Sequence, residues 1–152
     1  MPLRCLLDTN ICIYIAKNRP REVLARFRRL QPGDVGMSAV TYGELSYGAR
    51  KSRFSGEAVE ALRELAFMIP VLPLDAQAGS RYGEIRAALE KEGRVIGNND
   101  LWIGAHALSL GVPLVTNNER EFLRIPGLRV QNWVRKSGPS RVQERGSRYV
   151  RS

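Results

Sequence analysis

Histidine and cysteine are nearly missing from this sequence, which holds one His and two Cys in 152 residues. A lone imidazole, His106, cannot supply a paired histidine acid and base, so it reads as a packed or hydrogen-bonded histidine. Cys5 and Cys12 are too few for a disulfide framework or a Cys-rich zinc site; both sit in apolar surroundings and read as reduced packing residues. No apolar run is long enough to span a membrane. The opening MPLRCLLDTN lacks the apolar region and cleavage site of a signal peptide, which makes the cytoplasm the expected location. The nucleophile motif G-x-S-x-G and the Walker A loop are absent, and no internal repeat is visible.

Positive charge, by contrast, is abundant. The formal net charge is +9 and the pI is near 10.2, which favours a polyanionic partner such as nucleic acid. The charge is clustered. Lys17, Arg19 and Arg21 open the run KNRPREVLARFRR (17–29), and Arg50, Lys51 and Arg53 form a second group. Singly, each cluster describes a solvated helix face; together they mark candidate nucleic-acid contacts. Residues 136–152 carry five basic residues against Glu144 and show no apolar periodicity. The chain therefore divides into a domain over 1–135 and a basic, flexible tail over 136–152.

Within the domain, short apolar runs alternate with helical patterns. RCLLD (4–8), DVGM (34–37), PVLPL (70–74) and VPLVT (112–116) read as strands, and LRVQNW (128–133) as a fifth, edge strand. Ala58, Leu62, Leu65 and Ile69 mark one helical face, Ala78, Tyr82, Ile85 and Leu89 a second, and Leu101, Ala105 and Leu108 a third. This βα alternation predicts a three-layer α/β domain, with a mostly parallel sheet of four or five strands and helices on both faces.

Ligands of such sheets sit beyond the carboxyl ends of the strands. Asp8 lies there after the first strand, and Thr116-Asn117-Asn118 lies there after the fourth. Three further acids fall near predicted helix starts: Glu44 in VTYGEL, Asp100 in GNNDLW and Glu121 in TNNEREF. Each has a structural explanation, because Asp8 is a good N-cap, Thr41 to Glu44 fits a capping box, and Asp100 complements a helix dipole. Four carboxylates in one cleft would repel, however, and persist only with raised pKa values or a bound cation. Oxygen ligands alone suit a hard cation, Mg²⁺ or Mn²⁺, rather than zinc.

In order and spacing, LLDTN, VTYGEL, NDLWIGAHA and LVTNNEREF resemble PIN-domain nucleases, and among them the VapC-type toxins of bacterial toxin–antitoxin pairs. The resemblance covers roughly residues 3–133. It implies a small α/β fold, an Mg²⁺-dependent endoribonuclease acting on structured RNA such as tRNA, and a cognate antitoxin that blocks the active site. It also implies homodimers that join larger complexes with that antitoxin. The family's first three acids fall on Asp8, Glu44 and Asp100. Its fourth often follows an Arg-Asn or Arg-Asp pair; here Asn117-Asn118 stands in that place, leaving Glu121 or, second in line, Glu119.

The expected mechanism is hydrolysis by water activated on the metal. Asp8 and Asp100 are the principal ligands in this scheme, Glu44 and Glu121 orient further waters or a second ion, and Asn10, Thr116 and Asn118 orient the carboxylates. Two other classes compete. A phosphatase of the haloacid dehalogenase type also begins with Asp after its first strand, but it needs an acid two residues later, where Asn10 stands. A non-catalytic nucleic-acid-binding or regulatory module is the second.

Overall fold

A computed structural model describes residues 2–134 together with 141–143 and 149–150. Five short strands form the parallel part of the sheet: β1 (Cys5–Leu7), β2 (Val35–Ser38), β3 (Val71–Leu72), β4 (Leu114–Val115) and β5 (Arg129–Gln131). Between them run α1 (Thr9–Ala16), α2 (Arg21–Arg28), α3 (Ala39–Lys51), α4 (Ser55–Met68), α5 (Ala76–Lys91), α6 (Asn98–Leu110) and the single turn α7 (Glu119–Phe122). All five strands predicted from the apolar runs are present. The spatial order is β3-β2-β1-β4-β5, so the chain builds outward from β1 in one direction and then returns to build in the other.

Alternation along the strands divides the core into two layers. Leu6 and Leu114 pack on one face with Leu89, Leu101, Ile103 and Phe122. Leu7 and Val115, one residue on, pack on the other face with Ile11, Ile15, Val23, Leu62 and Leu65. Successive strand side chains point to opposite faces, and burying each such Leu or Ile contributes about 1.5–3 kcal/mol. Helix starts at the carboxyl end of the sheet are capped by side chains. Asp8 accepts from Thr9 N at 2.7 Å and Ser38 from Val40 N at 3.1 Å. At its other end α6 stops on Gly111, whose φ of 70° lies in the left-handed region that glycine adopts without penalty.

Two expectations are modified. The strand read as an edge is not one, because β6 (Arg141–Gln143) pairs antiparallel with β5, and β7 (Tyr149–Val150) pairs antiparallel with β6. Those two pieces of the basic tail belong to the sheet; the rest of residues 136–152 lies outside the described residues. Among the described residues no helix is long and apolar enough to cross a membrane.

Gly104 sets how closely α6 approaches α7. A Cβ at this position would collide with Ile125 Cδ1 and touch Phe122 and Leu128, all three of them fully buried. Gly104→Val is therefore expected to cost about 2 kcal/mol through overpacking, read as a lower urea midpoint by far-UV circular dichroism. An unchanged midpoint would mean that this contact has room to spare.

Candidate active site

The reversal of strand order falls between β1 and β4, which opens a crevice at their carboxyl ends. The pairing of Leu6 with Leu114 and Leu7 with Val115 carries Asp8 and Thr116 out of the sheet side by side. Asp8 is buried, with Oδ1 accepting from Thr9 N and Oδ2 accepting from the Thr116 hydroxyl at 2.7 Å. Thr116 Oγ1 in turn accepts from Asn118 N at 2.9 Å, which directs its proton at Asp8. Burial raises the Asp8 pKa; the hydrogen bonds from Thr116 and Thr9 act against it, and the Glu44 charge adds to it.

The other acids arrive on helices. Glu44 sits midway along α3, where Oε1 accepts from the Thr9 hydroxyl at 2.6 Å and Oε2 from the Asn99 amide at 3.4 Å. Asp100 lies in the first turn of α6. Its pKa is pushed up to about 7, first by burial, then by a hydrogen bond with Glu121, and then by the charges of Asp8, Glu121 and Glu44. The Asn118 amide bridges Glu121 Oε2 at 3.2 Å and Asp100 Oδ2 at 3.5 Å. Asp100 thus feels the charge of each of the other three acids. Glu119 is turned elsewhere, accepting from the Asn132 amide at 3.0 Å. Of the two alternatives for the fourth carboxylate, the geometry brings Glu121 to Asp100.

Not every expected partner is there. Asn10 is exposed and, among the described residues, bonds none of the acids; Thr9, one residue earlier, takes that place. Thr9 and Asn99 went unread because their partner, Glu44, is 35 and 55 residues distant in sequence. The one available signal was that each adjoins a candidate acid. His106 is buried in α6 with Nδ1 2.8 Å from Ser38 Oγ, so it braces the start of α3. Burial lowers its pKa. Lys17, Arg19 and Arg21 are exposed beyond the end of α1, and Arg50, Lys51 and Arg53 are exposed at the end of α3. Lys17 and Arg19 line a groove with Ile13, Tyr14 and Pro20, and the Asn117 amide reaches the Tyr14 hydroxyl at 3.5 Å.

Among the described residues no three His, Cys, Asp or Glu side chains already stand in ligating positions around one point. Thr9, Thr116, Asn99 and Asn118 hold the acids in a hydrogen-bonded ring. The donor set nevertheless fits a hard divalent cation. Every group offered is an oxygen, and the charges of Asp8, Glu121 and Glu44 add to the burial that raises Asp100. The carboxylates of Asp8, Asp100, Glu44 and Glu121 would be the groups offered to such an ion.

A parallel 3-2-1-4-5 sheet with acids gathered at its switch point is the architecture of a PIN domain. The PIN-domain family model matches residues 5–128, and the chain belongs to that family. Within the family it is of the VapC type. It is 42% identical over 132 residues to ribonuclease VapC2 of Haemophilus influenzae, a match covering 87% of this chain and 99% of that one. It is 44% identical over 131 residues to the tRNA(fMet)-specific endonuclease VapC of Shigella flexneri, covering 86% and 98%. Among solved structures it resembles VapBC-1 from nontypeable Haemophilus influenzae, with a TM-score of 0.80 and 42% identity over 88% of this chain and 100% of that one.

The environment of Asp100, buried and surrounded by acids, has a measurable consequence. The folded-state pKa of Asp100, about 7, lies above the ordinary value of 3.8. The folded chain therefore holds more protons than the unfolded chain between those values, and stability falls as pH rises through that window. In chelator, the melting temperature is expected to drop from about pH 4.5 to about pH 7.5, and Asp100→Asn to flatten the drop. A native protein whose melting temperature is level over that range would show that folding does not raise Asp100.

Proposed function

We propose that this chain is a divalent-metal-dependent endoribonuclease, the toxin of a toxin–antitoxin pair, cleaving structured RNA such as tRNA by attack of water. The observation that carries the reading is the meeting of Asp8, Glu44, Asp100 and Glu121 at the switch-point crevice, with Asp100 pushed up to about 7. Similarity to ribonucleases along nearly the whole length of each relative supports it. Mg²⁺ is the proposed ion and Mn²⁺ a substitute, in keeping with an all-oxygen donor set. A cation bound there supplies Lewis-acid polarisation of a phosphodiester oxygen and acidifies a water molecule.

The chain's own residues do the positioning. Thr116 and Thr9 hold the Asp8 and Glu44 carboxylates in fixed rotamers, and Asn118 sets the spacing of Asp100 and Glu121. Preorganisation of this kind removes a reorganisation cost at the moment of reaction. His106, buried against Ser38, takes no part. The antitoxin is the proposed occupant that silences the crevice, since the solved relative is a VapBC assembly. A homodimer that joins a larger complex with the antitoxin is proposed on the same ground.

Asp8→Asn and Asp100→Asn are expected to abolish cleavage of a tRNA pool while leaving the far-UV spectrum unchanged, and chelator to do the same to the native chain. Glu121→Gln is expected to slow turnover more than Glu119→Gln. With water as nucleophile the ribose 2′-hydroxyl is not consumed, so products should carry 5′-phosphate and 3′-hydroxyl ends. A 2′,3′-cyclic phosphate would refute the four-carboxylate mechanism. RNA binding with no cleavage in any divalent cation would instead identify a non-catalytic binding module.

A further inference from the structure

One side of α3 carries a stripe that begins beside Glu44 and runs on past the carboxylate site. Val40, Gly43, Glu44, Tyr47 and Lys51 recur along it at helical spacing. The first four of these, with Asn99 of α6 facing them, line an open groove of ≈ 560 Å³. That size falls within the range of about 300–1,000 Å³ typical of small-molecule sites. The space beside Gly43 is open, since a Cβ there would meet nothing within 4 Å. Tyr47 is 66% exposed, and Lys51 Nζ stands 5.2 Å from its ring centroid. The cation steadies the ring while most of the ring remains open to solvent. Arg50, Lys51 and Arg53 are all exposed at the far end of the stripe, with Lys51 about 10 Å along the helix from Glu44.

An open aromatic ring with cations beyond it and acids before it has the chemistry of single-strand recognition. Bases stack on aromatic faces there, and cations follow the phosphates. We propose that the α3 groove is a nucleobase subsite, in which an unpaired base flanking the scissile phosphate stacks on Tyr47. The edge of that base faces Asn99, and the next phosphate along the strand lies against Lys51. The proposal rests on the ribonuclease reading of the acids and adds to it a direction: the strand leaves the crevice along α3.

The test uses the full chain and two probes. Cleavage kinetics are measured on a stem–loop RNA that the native protein cuts, and on copies with an abasic site at each nucleotide flanking the cut. Binding of a labelled oligoadenylate and of an abasic oligomer of equal length is measured by fluorescence anisotropy in chelator. Tyr47→Ala is expected to raise KM and Kd roughly tenfold, the order of one lost base–aromatic stack, with kcat little changed. Tyr47→Phe should restore both. One abasic position should cost the native protein the same factor and cost Tyr47→Ala nothing more. Lys51→Gln should make the salt dependence of binding shallower by about 0.7 on the log–log slope.

Native KM and Kd in Tyr47→Ala would overturn the subsite, as would a loss that adds to every abasic substitution. Unchanged RNA binding with a smaller mass in solution would assign Tyr47 to a protein interface and overturn it equally. Failure of the native chain to cut any RNA would refute the ribonuclease reading, and the anisotropy arm would still decide the stack.

Discussion

Mutual repulsion among four carboxyl groups is the constraint around which the carboxyl end of this sheet is arranged. Nothing in the local sequence favours bringing Asp8, Glu44, Asp100 and Glu121 together; burial first, and then the neighbouring acids, push Asp100 up to about 7. The cost is offset by the two apolar layers, which hold β1 and β4 in register whatever the acids do. The backbone of Asp8 is tied to β4 by its N–H, which donates to the Val115 carbonyl at 2.9 Å, and its carboxylate is held by Thr9 N and the Thr116 hydroxyl.

The acids are held by small neutral donors rather than by basic side chains. Thr116 serves Asp8, Thr9 serves Glu44, and the Asn118 amide serves both Asp100 and Glu121. An arginine in any of these places would neutralise the cluster and remove its demand for a cation. Hydroxyl and amide groups hold each carboxylate in place and leave its negative charge available. The basic residues are instead displaced to the ends of α1 and α3, where they can attract a polyanion without competing for the acids.

This separation also gives α3 two roles. Its first residues are fixed by the Ser38 cap, which His106 braces from α6. Its middle presents Glu44 to the crevice, and its last turn carries the exposed Tyr47 and Lys51. Helix periodicity alone links the acid to the aromatic ring and the cation.

Much of this was legible in the order of residues. Runs such as RCLLD and VPLVT are strands because short apolar segments between turn-formers have no other stable use, and their alternation with helical patterns dictated the parallel sheet. Asp8 and Asp100 stood out as charges placed where an apolar run ended or a helix began. Their identity as one site was carried by four motifs in sequence, not by any single one. Only the tertiary structure shows that Glu121 rather than Glu119 meets Asp100, because the two lie half a helical turn apart and the position of α6 determines which of them does so. It also replaced Asn10 with Thr9, and it carried two pieces of the expected tail into the sheet as β6 and β7. Local pattern fixes which residues are buried and which elements form. Which side chains meet across 35 or 55 residues depends on how whole helices pack, and no window of sequence contains that information.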